Sequence, residues 1–272
     1  MFFTLYLKLL LNLKILMASI DSLLTKIKSA PRLDFGTIFS EAIDLFKKTW
    51  LYGLLYYFII MIVTIPVSMM TNPSIFLMIR NLDRPEVWAD QSAMGGLLVG
   101  PFFLMSMLGS FMSASLSILL LAGFLRIVRS LDFGQEPNGS DLFYFFKSDY
   151  IFKAMIMTLG IMIISAIALV LCILPIVYVA IGVSFCSYFF AFHPELNLGD
   201  IFKAAFALGH KKWWLTFGLV IVASILATTV GLLMCVVGLL ITASFSVLPT
   251  YLIYKHVVGF DENNINKDHL IS

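Results

Sequence analysis

The sequence predicts an all-α, polytopic membrane protein with six transmembrane helices, arranged as three hairpins that are each preceded by an amphipathic interfacial helix. Three observations predict it. Hydrophobic residues make up 60% of the 272-residue chain and charged residues 12%, whereas a soluble domain carries about 25% charged residues. Uncharged apolar runs recur at lengths that match one or two bilayer crossings. The remaining charges fall almost entirely on one side of those runs.

A crossing needs about 20 apolar residues. Trp50–Met70 supplies the first, with Pro66 near its far end, and a polar stretch, Thr71–Gln91, follows. Leu97–Leu125 is the second, closed by Arg126 and Arg129. Ile151–Phe192 is long enough for two crossings, so the chain is expected to turn at Cys172-Ile173-Leu174-Pro175, where proline disfavours helix at the residue before it. Trp213–Tyr254 divides likewise, within Thr228–Gly238.

The expected organisation is an N-terminal cytoplasmic or interfacial segment 1–33, a six-helix membrane domain 34–260 and a polar cytoplasmic tail 261–272. For Met1–Leu16 two readings stay open. Thr4, Lys8 and Asn12 recur every four residues, as in an amphipathic helix on the interface; alternatively translation begins at Met17 and these residues are not native. Of the 18 Lys and Arg residues, only Arg80 and Arg84 lie on the side away from the termini, beside Asp83, Glu86 and Asp90. The positive-inside rule then places both termini in the cytoplasm. A net charge of +2 gives no reason to expect nucleic acid as a partner. The three cysteines lie in apolar runs without a C-x-x-C and are expected to be free.

An internal pattern repeats before each hairpin. Gly36-Thr37-Ile38-Phe39-Ser40-Glu41-Ala42-Ile43 leads to Lys47-Lys48-Thr49-Trp50, and Gly199-Asp200-Ile201-Phe202-Lys203-Ala204-Ala205-Phe206 leads to Lys211-Lys212-Trp213-Trp214. Ser140-Asp141-Leu142-Phe143 with Phe146-Lys147 is a weaker third copy. Thr37, Asp141 and Asp200 are the expected helix caps. Ile38, Phe39, Ala42, Ile43 and Phe46 form an apolar face opposite Ser40, Glu41, Asp44 and Lys47. Such helices would lie in the cytoplasmic interface, with Trp50, Trp213 and Trp214 at headgroup depth.

Over roughly residues 33–260, the Phe39-x-x-Ala42 pattern and the Ile201–Phe206 run ending in His210-Lys211-Lys212-Trp213 resemble a broad group of uncharacterised bacterial integral membrane proteins. That group is similar to the membrane domain attached to some glycerophosphodiester phosphodiesterases. The resemblance implies a multi-pass protein of the bacterial inner membrane. It carries no catalytic signature, and no soluble phosphodiesterase domain follows Phe260.

Chemistry is sparse. Acids and bases lie outside the expected spans, which disfavours a proton-coupled transporter. No H-E-x-x-H, P-loop or G-x-S-x-G occurs, His193-Pro194-Glu195 reads as a solvated loop, and Asp132-Phe133-Gly134 reads as a turn. No catalytic residue, cofactor or metal is expected. Ser106, Ser110, Ser113 and Ser117 share one face of span two, as a helix-packing stripe or the lining of a solute path. Lys47, Lys48, Trp50, Arg126, Arg129, Lys211, Lys212, Trp213 and Trp214 are the candidate contacts for lipid headgroups, anionic ones above all, since each base near such a surface contributes ~1 kcal/mol. The sequence thus points to a non-enzymatic protein that organises lipids, a membrane-protein partner or its own oligomer. The alternative is a carrier or channel for an uncharged or lipidic solute.

Overall fold

The computed structural model describes residues 20–71, 101–171 and 173–260, and within them the chain is helical, with no strand. A short helix α1 covers 20–28. Then come α2 (Phe35–Thr71), α3 (Pro101–Asp132), a 3-10 turn (Gly139–Phe143), α4 (Ser148–Leu171), α5 (Ile173–Phe192), α6 (Leu198–Lys211) and α7 (Trp213–Leu233). The described residues close with α8 (Cys235–Thr242), a second 3-10 turn (Ala243–Val247) and α9 (Leu248–Val257). Stretches of α2, α3, α4, α5 and α7 are long and apolar enough to cross a membrane. They bear large exposed side chains such as Val170 and Leu233, at 88% and 81% exposure. Apolar surface of that extent suits lipid and not water, and the protein is a multi-pass helical membrane protein.

Both expected turns fall where the sequence puts them. Helix α4 ends at Leu171 and α5 starts at Ile173, so Pro175 sits in the first turn of α5, where its missing N–H costs nothing. Cys172 itself lies outside the described residues. Helix α7 stops at Met234 (φ −92°, ψ 17°), and α8 folds back so closely that a Cβ on Gly238 would lie 2.6 Å from the Gly231 carbonyl oxygen. The arm that returns from this turn is not one helix, as the six-span reading expects, but α8, a 3-10 turn and α9. Pro249 lacks the N–H that would bond the Phe245 carbonyl. Ser244 and Ser246 donate to the carbonyls of Ile241 (3.1 Å) and Ala243 (2.8 Å) and stabilise the tighter turn.

The three leading helices differ from the expectation and from one another. Residues 36–49 are not a separate interfacial helix: they form the first part of the 37-residue α2, because no glycine or proline interrupts Lys47 to Leu51. At about 1.5 Å per residue α2 is some 55 Å long, well beyond one hydrocarbon core. The middle copy is a single 3-10 turn, and only the third, α6, is a distinct amphipathic helix ending before Lys212 (φ −115°, ψ 22°). Every expected cap is displaced by three residues. Asp34 caps α2 by accepting from the Thr37 N–H (2.9 Å), Asn138 caps the 3-10 turn, and Asn197 precedes α6. Thr37, Asp141 and Asp200 occupy the first turn instead.

The long pairing of α2 with α3 is organised by Tyr56 stacked on Phe124 (4.8 Å, 11°) and by a Ser106 hydroxyl that donates to the Thr71 carbonyl (3.2 Å). A second centre forms where α9 meets the ends of α3 and α5. There Tyr251, Tyr254, Phe189 and Phe190 are fully buried, and Tyr188 donates to the Val247 carbonyl (2.8 Å).

Candidate functional site

The densest group of polar side chains lies at that second centre. Asp132, the last residue of α3, accepts from the Tyr251 hydroxyl (2.9 Å) and pairs with the Lys255 ammonium (2.7 Å). The Arg129 guanidinium lies over the rings of Phe192 (5.6 Å) and Phe260 (5.8 Å). On the other side of α9, His256 Nε2 and Glu41 Oε2 are 2.7 Å apart, and Lys26 of α1 donates to the Val258 carbonyl (3.2 Å). Three helices, α1, α2 and α3, thus converge on α9 through charged or hydroxyl groups, at a point where the sequence alone shows only an aromatic-rich tail. Both acids of this cluster are paired, Asp132 with Tyr251 and Lys255 and Glu41 with His256.

A second polar lock ties α4 to the α5–α6 loop. Against the expectation that bases lie outside the spans, Lys153 stands inside α4, near its start, and donates to the carbonyls of Pro194 (2.6 Å) and Leu196. His193 Nδ1 and Glu195 Oε1 are 3.1 Å apart, with Glu195 exposed as a loop residue is expected to be, so the loop is both solvated and braced. Burial works to raise the Glu195 carboxyl. The hydrogen bond from His193, the backbone N–H and the charges of His193 and Lys153 outweigh it and hold Glu195 below the usual carboxylate range.

The candidate headgroup residues divide into two classes. Arg126 and Arg129 turn inward. Arg126 is 11% exposed, lies 3.9 Å from the Tyr144 ring centroid and reaches Asp141 at 3.7 Å. Lys212 donates to the Pro31 carbonyl, and burial lowers its pKa, with Lys211 adding to the effect. Trp213 is stacked on Phe217 (4.8 Å) and donates to the Tyr178 carbonyl (3.3 Å). These four serve contacts within the protein, because aromatic and carbonyl groups surround them. Lys47, Lys48, Trp50, Lys211 and Trp214 instead face outward. Lys47 pairs only with the equally exposed Asp44 (2.7 Å), while Trp214 is 81% exposed and touches Trp213 edge-on.

The apolar faces of the leading segments are spent on protein packing. Ile38, Ala42, Leu45 and Thr49 of α2 are at most 4% exposed, and Ile201, Ala204, Ala205 and Leu208 of α6 are fully buried. Helix α6 lies so close to α5 that a Cβ on Gly209 would stand 2.8 Å from the Gly182 Cα. The buried α2 face is centred on 38, 42, 45 and 49, rotated from the stripe read in the sequence, with Phe39, Ile43 and Phe46 at its margin.

The serines of the stripe have different surroundings. Ser106 bonds to α2, Ser117 donates to the Ser113 carbonyl of its own helix (2.8 Å), and Ser110 is exposed. The hydroxyl that joins α3 to α4 belongs to Ser115, which lies off the stripe and donates to Thr158 (3.1 Å). A space the sequence does not reveal lies between α2 and α7: an apolar cleft of about 220 Å³ lined by Ile43, Phe46, Leu226, Ala227, Val230, Thr242 and Phe245. Comparison with protein-family models, curated proteins and solved structures gives no match to this chain.

Proposed function

We propose that this is a non-catalytic membrane protein of the bacterial inner-membrane type that organises anionic lipids, together with a protein partner or a second copy, at its cytoplasmic face. The observation that carries the reading is Trp214: a fourfifths-exposed indole beside the exposed Lys211, at the start of the apolar helix α7. An indole has an apolar body and a polar N–H, and the membrane interface satisfies both. An adjacent ammonium adds attraction for a phosphate.

Burial of the amphipathic faces changes how such a protein would act. Helix 36–49 and α6 turn the centre of their apolar faces to neighbouring helices, with Ile38, Ala42, Ile201 and Ala204 buried, and so hold outward-facing bases and tryptophans on a packed frame. In this reading residues 235–257 complete a sixth, broken crossing, and both termini are cytoplasmic by the distribution of Lys and Arg. The carrier alternative rests on the serine stripe, of which Ser106 and Ser117 are engaged by backbone carbonyls and Ser110 is exposed.

The test is lipid analysis of protein purified in a mild detergent from cells, beside a Lys47→Gln, Lys48→Gln, Lys211→Gln variant. The expected result is fewer retained anionic lipids per protein in the variant at unchanged thermal stability. The same anionic-lipid content in both proteins would overturn the reading.

A further inference from the structure

We propose that the cleft between α2 and α7 binds one acyl chain of a membrane phospholipid. This shares with the proposed function only the premise that α2 and α7 lie in lipid, and it does not depend on a preference for anionic headgroups.

Ile43 and Phe46 form one wall, Leu226, Ala227 and Val230 the other, and Thr242 and Phe245 the floor. The Phe245 ring is held edge-on by Phe39 (5.8 Å) and Phe46 (5.6 Å). Thr242 Oγ1 lies 2.7 Å from the Ala227 carbonyl and 2.9 Å from that of Gly238, so its proton is already shared between two acceptors. The cleft therefore offers an occupant no hydrogen-bonding group. Water needs two to four polar partners, and pockets for soluble ligands carry a few polar anchors that fix orientation. Neither occupant fits.

Size narrows the choice further. About 220 Å³ is below the roughly 300 Å³ at which pockets begin to enclose a drug-sized molecule. It suits a segment of a longer apolar chain whose remainder lies outside. The outer surface of α7 continues the apolar track, with Ile221, Val222 and Ile225 between 40% and 61% exposed. On α2, Lys47 and Trp50 stand one turn beyond Ile43 and Phe46 and face outward, so a base for a phosphate and an indole for the interface adjoin the wall. The Lys47–Asp44 pair is exposed, and such pairs contribute little, so a phosphate competes with Asp44 at small cost. The bilayer is as apolar as the cleft, so burial of hydrocarbon is not the driving force. The gain is the dispersion contact that an unfilled cleft forfeits.

The experiment uses the full-length protein in nanodiscs that contain phosphatidylglycerol with a photoactivatable diazirine on one acyl chain, with labelled peptides mapped after irradiation. The expected result is labelling at 43–46 and 226–230 several-fold above that at Ile167, Leu169 and Val170, which are among the most exposed apolar residues. Ala227→Trp is expected to remove the excess, and so is the milder Val230→Phe, which keeps the test valid if the tryptophan prevents folding. The same chain on phosphatidylcholine is expected to label equally, which separates this site from any headgroup preference. Cleft labelling no higher than at Ile167, Leu169 and Val170 would overturn the assignment. So would unchanged labelling in the folded Val230→Phe protein, or cross-links that join the cleft walls to another protein segment.

Discussion

The Tyr251 hydroxyl and the Lys255 ammonium both reach Asp132 Oδ2, at 2.9 and 2.7 Å, and so fasten the last helix to the end of α3. Asp132 is 13% exposed and Lys255 29%, so the pair is largely desolvated, and removal of one partner leaves a poorly hydrated charge. Asp132→Asn is expected to destabilise the protein by ~2 kcal/mol, less than a fully buried pair costs because Lys255 keeps some solvent. Adding Lys255→Met should recover part of that loss. Thermal denaturation of the two variants in detergent checks the order.

Among the described glycines, Gly123 makes the closest approach to a neighbouring backbone, closer than those of the α7–α8 turn. A Cβ there would lie 2.2 Å from the Leu142 carbonyl oxygen, a backbone atom that cannot swing aside. Gly123→Ala is expected to push the 139–143 turn from α3 and cost about 1–3 kcal/mol, as overpacking does. Faster proteolysis between 133 and 147 would report the displaced turn, and an unchanged digestion pattern would contradict the contact.

The α5–α6 corner gives a pH prediction with a definite sign. Glu195 titrates below the usual range in the folded protein, so its contribution is present above the unfolded value of about 4.3 and is lost as pH falls through the lower folded value. The melting-temperature difference between wild type and Glu195→Gln is expected to shrink as pH falls below about 4, where the Glu195 carboxylate takes up its proton. A difference that grows below about pH 4 would contradict the sign. Lys153→Met should expose the same corner at every pH, because the carbonyls of Pro194 and Leu196 lose their donor.

Arg126 and Lys211 test the division between inward and outward bases. Arg126→Gln removes a cation held against Tyr144 and is expected to cost ~1–2 kcal/mol of stability without changing retained lipid. Lys211→Gln is expected to do the reverse. Paired melting and lipid analysis of both proteins distinguishes the two roles.

What the sequence shows follows directly from lipid as solvent. Uninterrupted apolar runs specify helices without reference to the tertiary fold, and a proline or a glycine-rich gap marks where each run doubles back, as at Pro175 and Met234. Where a helix starts was legible only to within one turn, because Thr37 and Asp34 are both good caps and the residue that accepts the N–H depends on the approach of the preceding chain. The fate of the amphipathic faces was not legible. Ile38 and Ala42 are equally suited to lipid and to a neighbouring helix, and periodicity does not tell the two apart. The same limit hid the inward turn of Arg126, whose partners Asp141 and Tyr144 come from the following loop, and the cleft, whose walls lie far apart in sequence.

The most direct test of the account is quenching of Trp214 fluorescence in a variant that retains this tryptophan alone, reconstituted with lipids brominated on the acyl chain near the headgroup. The account predicts stronger quenching by brominated phosphatidylglycerol than by brominated phosphatidylcholine at equal mole fraction, with the difference lost on Lys211→Gln. Equal quenching by the two lipids, or no quenching by either, would contradict it.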